Sequence, residues 1–100
     1  MNRFVLTPTA DQDLNEIWDY IASDNIEAAD RVINALEAAF RRLADRPKLG
    51  HYREDLADKR HRFDSVYSYL IVYRWEERPL QIIRVIHGAR DLPSLLASSD

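Results

Sequence analysis

Hydrophobic and polar positions change period several times along the chain. "RFVLT" (3–7) is a short apolar run and a strand candidate. The period then lengthens: Ala10, Leu14, Ile17, Trp18 and Ile21 form one helical stripe. Pro8 suits the first helical position after Thr7, and Thr9 with Gln12 offers an alternative capping box. Asp11 and Asp13 favour the positive end of the helix dipole. "SDN" (23–25) stops this helix, and Asp24 with Glu27 is spaced as a capping box for the next. Ala29, Val32, Ile33, Leu36, Phe40 and Leu43 continue at helical spacing to about Asp45, and Pro47 ends the run. A link this short makes the two helices an antiparallel hairpin.

Beyond "PKLGHYREDLAD" (47–58), read as a loop with Pro47 and Gly50 as turn formers, the period drops to two. Strands are predicted over 60–66, 67–75 and 80–87, the last two joined by "EERP" (76–79). Tyr67, Tyr69, Ile71, Tyr73 and Trp75 share one face of their strand, with Leu70 and Val72 on the other. In the last strand Leu80, Ile82 and Ile86 share a face, opposite Ile83 and Val85. The expected fold is α+β, in the order β-α-α-β-β-β with a short C-terminal helix or tail. The helical hairpin packs on a small, mainly antiparallel sheet. Neither late strand has a clean solvent side, so the second sheet face needs a cover. The tail "LPSLL" and a partner are the candidates.

One hundred residues make one domain, 1–100, with roughly 65% of the unfolded surface buried. A composition 46% apolar with two glycines is globular. The net charge of −3 exerts no overall pull toward nucleic acid or membrane. It is unevenly spread: residues 1–46 hold five basic and nine acidic side chains, residues 59–90 seven and three. The chain has no cysteine, which excludes disulfides, thiolate catalysis and cysteine-ligated metal. With no signal-like or spanning apolar run, a cytoplasmic protein that does not enter membranes is expected.

Candidate chemistry is sparse. His51, His61 and His87 lack zinc-type spacing, so no metal or other cofactor is expected. No phosphate loop, nucleophile elbow or Ser/His/Asp cluster is present, so no catalytic residue is assigned. Asp11, Asp13, Glu16 and Asp19 read as a solvated helix face. Lys59, Arg60, Arg62, Arg74, Arg78, Arg84 and Arg90, interleaved with Tyr67, Tyr69 and Tyr73, read either as a charged sheet rim or as a binding surface. The break after the last strand, "HGARDLPSLL", is partly architectural. Gly88 permits a sharp exit, Asp91 is placed to cap a short helix, and Pro93 fits its first turn. His87 and Arg90 have no such role; Asp64 and Asp91 are candidate partners for Arg90.

The stretches "DLNEIWDYIA", "RPKLGHYRED", "YLIVYR" and "RVIHGARDL" together resemble the ParE toxins of the RelE/ParE superfamily, over nearly the whole chain. The resemblance implies the same β-α-α-β-β-β arrangement. It implies the toxin of a type II toxin–antitoxin system, an inhibitor of DNA gyrase neutralised by a ParD-type antitoxin. The antitoxin's C-terminal region wraps the toxin and its N-terminal half binds operator DNA, so the toxin alone binds no nucleic acid. The alternative comes from the RelE branch, which cleaves mRNA on the ribosome; Arg62 and Arg90 match the positions of arginines used there at phosphate. A non-enzymatic toxin is expected, because the loop lysines Lys48 and Lys59 do not match that branch, and Leu92, Leu95 and Leu96 stand where it has a tyrosine or histidine. The expected target-engaging residues are Arg62, His87 and Arg90, grouped at the sheet's polar end. The antitoxin is expected to meet Trp18, Ile21, Phe40, Tyr52, Arg53, Tyr69, Tyr73 and Arg74, through an acidic or amphipathic segment.

Overall fold

Thr7 ends one element and starts the next. Its N–H donates to the Ile82 carbonyl (3.1 Å), while its Oγ1 accepts from the Ala10 N–H (3.1 Å) and donates to the Ile83 carbonyl (2.9 Å). Thr7 is therefore the N-cap of the first helix, with Pro8 at N1, and Thr9 is not used. The computed structural model describes residues 3–88. The elements are β1 (Phe4–Leu6), α1 (Pro8–Ala22), α2 (Ile26–Asp45), a single 3-10 turn (Pro47–Leu49), β2 (His61–Val66), β3 (Tyr69–Arg74) and β4 (Leu80–His87). The expected capping of a short helix by Asp91 and the expected cover by "LPSLL" lie outside the described residues.

α2 starts one residue later than the spacing suggests. Asn25 is its cap and accepts from the Ala28 N–H at 3.0 Å. Asp24 belongs to the exit of α1 instead: its N–H and that of Asn25 both donate to the Ile21 carbonyl. The strands form one sheet in the order β1-β4-β3-β2, with β1 parallel to β4 and the other two pairings antiparallel. Fold class, element order and the mainly antiparallel sheet agree with the sequence. Tyr67 is the exception within the strand pattern. It sits in the β2–β3 turn at φ 53°, and β3 begins only at Tyr69.

The helices bury their stripes on one sheet face. Leu36, Phe40, Leu43, Ile71, Tyr73, Leu80 and Ile82 are all 1% exposed or less. The second face has its own cover. Phe63, Leu70 and Val72 are buried there beneath Leu56 and Ala57, with Ile83 alongside. The loop after Gly50 turns back at Arg53, whose carbonyl accepts from the N–H groups of Leu56 and Ala57. Over these three residues the chain seals its own sheet, where the sequence suggested a tail or a partner.

A β-bulge resets the alternation in β4. Val72 pairs with Arg84 but Tyr73 pairs with Ile82, leaving Ile83 as the extra residue. Ile82 and Val85 consequently both join the helix-side core, and Ile86 lies opposite Leu70. The expected grouping of Leu80 and Ile82 with Ile86 fails for this reason. Around the bulge, the Thr7 hydroxyl serves the Ile83 carbonyl and Asp13 serves the Val85 N–H at 2.9 Å. The Arg84 guanidinium donates to both Asp13 carboxylate oxygens, at 2.8 and 3.1 Å. Asp13 and Arg84 are each only 9% exposed. Asp13 is therefore not part of a solvated helix face, and Arg84 is not on a sheet rim.

Breaking this triad one partner at a time leaves a buried charge. Asp13→Ala is expected to cost about 3–5 kcal/mol, read from the urea midpoint. The double change Asp13→Leu with Arg84→Met removes both charges but orphans the Val85 N–H, so a deficit of about 1–3 kcal/mol should persist. A double variant as stable as the parent would show that the carboxylate does not hold the strand.

Candidate functional site

Arg62 lies opposite Tyr73 in the β2–β3 pairing. Its guanidinium carbon is 4.4 Å from the ring centroid of Tyr52 and 4.7 Å from that of Trp75. Its Nη1 donates to the carbonyls of Gly50 (2.8 Å) and Lys48 (3.3 Å). The neighbouring Tyr73 hydroxyl donates to the Pro47 carbonyl (2.7 Å) and accepts from the Gly50 N–H (2.9 Å). Burial pushes the Tyr73 phenol pKa up, with the Gly50 N–H opposing the shift. His51 and Phe63 exchange two backbone hydrogen bonds. Gly50 is required by close approach: a Cβ there would stand 2.5 Å from the Tyr73 oxygen and 2.7 Å from the Phe63 carbonyl. The segment from Pro47 to Tyr52 is thus strapped to the sheet by side chains and backbone together.

The charges around this strap are mostly answered locally. Arg53 pairs with Asp55 at 3.0 Å, Arg60 with Asp58 at 2.7 Å, and Lys59 with Glu54 at 3.6 Å. The Arg60 guanidinium, with help from its own N–H and from His61, holds the Asp58 carboxyl well below the usual range. The basic composition of this end therefore exaggerates its field. Lys48 is exposed, with its ammonium 5.9 Å from the Trp75 ring centroid.

At the other end of the sheet, Tyr69 and His87 meet edge-on with ring centroids 5.5 Å apart. Burial, and secondarily Tyr20, push the Tyr69 phenol pKa up. A cavity of about 600 Å³ opens here between α1 and the end of β4. β2 and β4 both run antiparallel to β3, so a residue early in β2 and one late in β4 lie at opposite ends. Arg62 is level with Tyr73 and His87 with Tyr69, four residues or about 13 Å away along β3. The expected grouping of Arg62 with His87 does not form, and Arg90 lies outside the described residues.

Comparison with known proteins agrees with this architecture. The Toxin ParE3 of Caulobacter vibrioides is 29% identical over 97 residues, covering 96% of each chain. The Toxin ParE1 of Mycobacterium tuberculosis is 28% identical over 93 residues, covering 91% of this chain and 94% of its own. A solved structure described as the chromosomal ParDE TA system from P. aeruginosa superposes with a TM-score of 0.70 over 87% of this chain and 96% of that one, at 20% identity, which speaks for the fold. The family model for the ParE toxin of the type II toxin–antitoxin system parDE matches residues 4–92. The chain belongs to the ParE toxin family.

Within this ParE-family fold the residues singled out from sequence fall into distinct settings. Phe40 and Tyr73 are 0% exposed and build the core, so neither is available to an antitoxin; their helical and strand periodicity already placed them inward. Trp18 is half-buried, and its Nε1 donates to Asp30 at 2.9 Å. Ile21 and Tyr69 pack half-buried against the main core. Tyr52 is exposed but gives one ring face to Arg62, and Arg53 is exposed beside Asp55. Arg74 is half-buried, with its Nε enclosed and unpartnered. Asp64 sits 3.7 Å from Arg42. Among the described residues, no group of three or more His, Cys, Asp or Glu is placed to hold a metal, and no helix is long and apolar enough to cross a membrane.

Sequence reasoning missed Asp13, Arg84 and Tyr20. The signal for the first was present, since Ala10, Asp13, Leu14 and Ile17 share one helical face. Arg84 stands inside an apolar run, where an arginine needs a carboxylate. Tyr20 had no signal, being one tyrosine among five.

The Arg62 arrangement predicts a stability effect. Arg62→Ala should lower stability by about 2 kcal/mol, from lost charged hydrogen bonds and ring contacts, read from the denaturant midpoint. Arg62→Lys should recover little, because an ammonium has no planar face to lay between the Tyr52 and Trp75 rings. An unchanged midpoint for both variants would show that the strap stands without Arg62.

Proposed function

We propose that this ParE-family toxin acts in the cytoplasm by binding DNA gyrase, and that a ParD-type antitoxin neutralises it. The observation that carries the non-enzymatic reading is the setting of Arg62. Cleavage of RNA by 2′-hydroxyl attack needs a base, an acid and a cation poised at the phosphate. Arg62 stands at a position resembling a phosphate arginine of the RelE branch, yet its guanidinium is taken up within the fold by the rings of Tyr52 and Trp75 and the carbonyls of Lys48 and Gly50. A cation so engaged supports a scaffold more than a catalyst. The antitoxin's C-terminal region folds onto the toxin, gaining order as it binds, while its N-terminal half reaches operator DNA.

The test is expression of the chain alone and with its cognate antitoxin, scored for growth, paired with purified toxin in two assays. Growth arrest relieved by the antitoxin, loss of gyrase supercoiling and intact ribosome-bound mRNA are the expected results. Cleaved mRNA with normal gyrase activity would replace this proposal with the RelE-like one.

A further inference from the structure

The cavity beside α1 has a simple origin. β1 pairs with β4 only from Leu80 to Ile82, and the chain then leaves the sheet at Thr7. β4 runs on to His87 without that neighbour, and α1 crosses above it. The space so left is lined by Ile17, Val85 and Ile86 as apolar surface, by the rings of Tyr20, Tyr69 and His87, and by Asp13, Glu16 and Arg84. Its volume of about 600 Å³ is in the range that takes a few side chains or a small ligand. Tyr20, at 80%, is the most exposed large hydrophobic side chain among the described residues. An exposed tyrosine at the lip of an apolar cavity is the composition that dominates binding energy at interfaces.

The ionisable groups lining the cavity are Asp13, Glu16 and Tyr20 of α1, Tyr69 of β3, and Arg84 and His87 of β4. Helix α1 carries Asp11, Asp13, Glu16 and Asp19 and no lysine or arginine. Asp13 and Arg84 neutralise one another within the fold. Glu16 is left at the rim, where the Gln12 amide is its neighbour at 3.4 Å. The complement of this surface is an apolar side chain flanked by a cation. That differs from the acidic segment which the basic composition of the strands suggested; there most cations are already paired.

Resting on the antitoxin reading above, we infer that this cavity is where the antitoxin's C-terminal segment anchors. An apolar side chain fills the space over Ile17 and Val85 against Tyr20, and an adjacent lysine or arginine of the antitoxin pairs with Glu16. The occupant is thus a basic amphipathic segment.

The test uses the full chain and its purified cognate antitoxin in titration calorimetry at two salt concentrations. Tyr20→Ala and Glu16→Arg alter exposed side chains, and unchanged circular dichroism should confirm the fold. Each is expected to raise Kd at least tenfold, with Glu16→Gln weakening the salt dependence. Reversing the anchoring lysine or arginine of the antitoxin to glutamate should restore binding to Glu16→Arg. If the antitoxin binds the parent and both variants equally, the cavity assignment falls while the toxin–antitoxin reading stands. Tighter binding by Glu16→Arg would mean an acidic occupant and would equally overturn the inference. An antitoxin that fails to bind the parent chain removes the functional reading, and this inference with it.

Discussion

One carboxylate, that of Asp13, joins helix to sheet. Its oxygens receive two donors from Arg84 and the N–H of Val85, all three bonds buried. A buried ion pair is not in itself a reason for stability, because desolvating two charges offsets most of their attraction. Its value here is positional. The bulge at Ile83 and the end of β1 at Leu6 leave backbone groups of β4 without ladder partners, and such groups are costly when enclosed. Thr7 and Asp13 supply those partners from the beginning of α1 and from its first turns. The same bulge allows Ile82 and Val85 to enter one core from non-alternating positions. The angle of α1 over β4, the depth of the core and the space beside Tyr20 all depend on that attachment.

A second constraint operates at the opposite end. There the 47–59 loop is held to the sheet by the two His51–Phe63 backbone bonds and by side chains. Tyr73 reaches up from the core to bond Pro47 and Gly50, Arg62 fixes the carbonyls of Lys48 and Gly50, and Trp75 fixes that of Lys59. The loop in return lays Leu56 and Ala57 on the second sheet face. The Arg62 guanidinium is held between two rings, and the loop's own acids quench its neighbours. Counting charges along the chain therefore overstated how basic this end is.

Much of the fold was legible because periodicity is a local signal that burial enforces. The stripes of α1 and α2, the Thr7–Pro8 start and the three late strands follow from spacing and turn chemistry alone. What the pattern missed were departures from period. A bulge adds one residue without changing composition, so Ile86 was assigned to the wrong face. Asn25 and Asp24 are equivalent cap formers in sequence; which one caps α2 depends on how α1 closes. The candidate site was less legible because it joins distant residues. Asp13 and Arg84 are 71 positions apart, and the separation of Arg62 from His87 follows only from tracing the register of both antiparallel pairings, which a grouping by residue type passes over. Phe40 and Tyr73 were misjudged as surface because they were chosen for their chemistry, although their own stripes pointed inward.

The two ends also differ in what they offer a partner. At the strapped end most polar groups bond one another, and displacing them means breaking several bonds at once. At the α1 end the internal pair is satisfied, yet apolar surface and an exposed tyrosine remain beside the Glu16 carboxylate, whose hydrogen-bond neighbour among the described residues is the uncharged Gln12 amide. Association gains most where apolar area is lost from water without dismantling existing hydrogen bonds. By that criterion the lip of the cavity is the surface on which a second chain gains most, and the strap is better suited to keeping the sheet rigid while it does so. The shortness of β1 links these properties. Where β1 stops at Leu6, β4 runs on past Ile82 without it, and α1 brings Ile17 and Tyr20 beside that stretch to form the cavity.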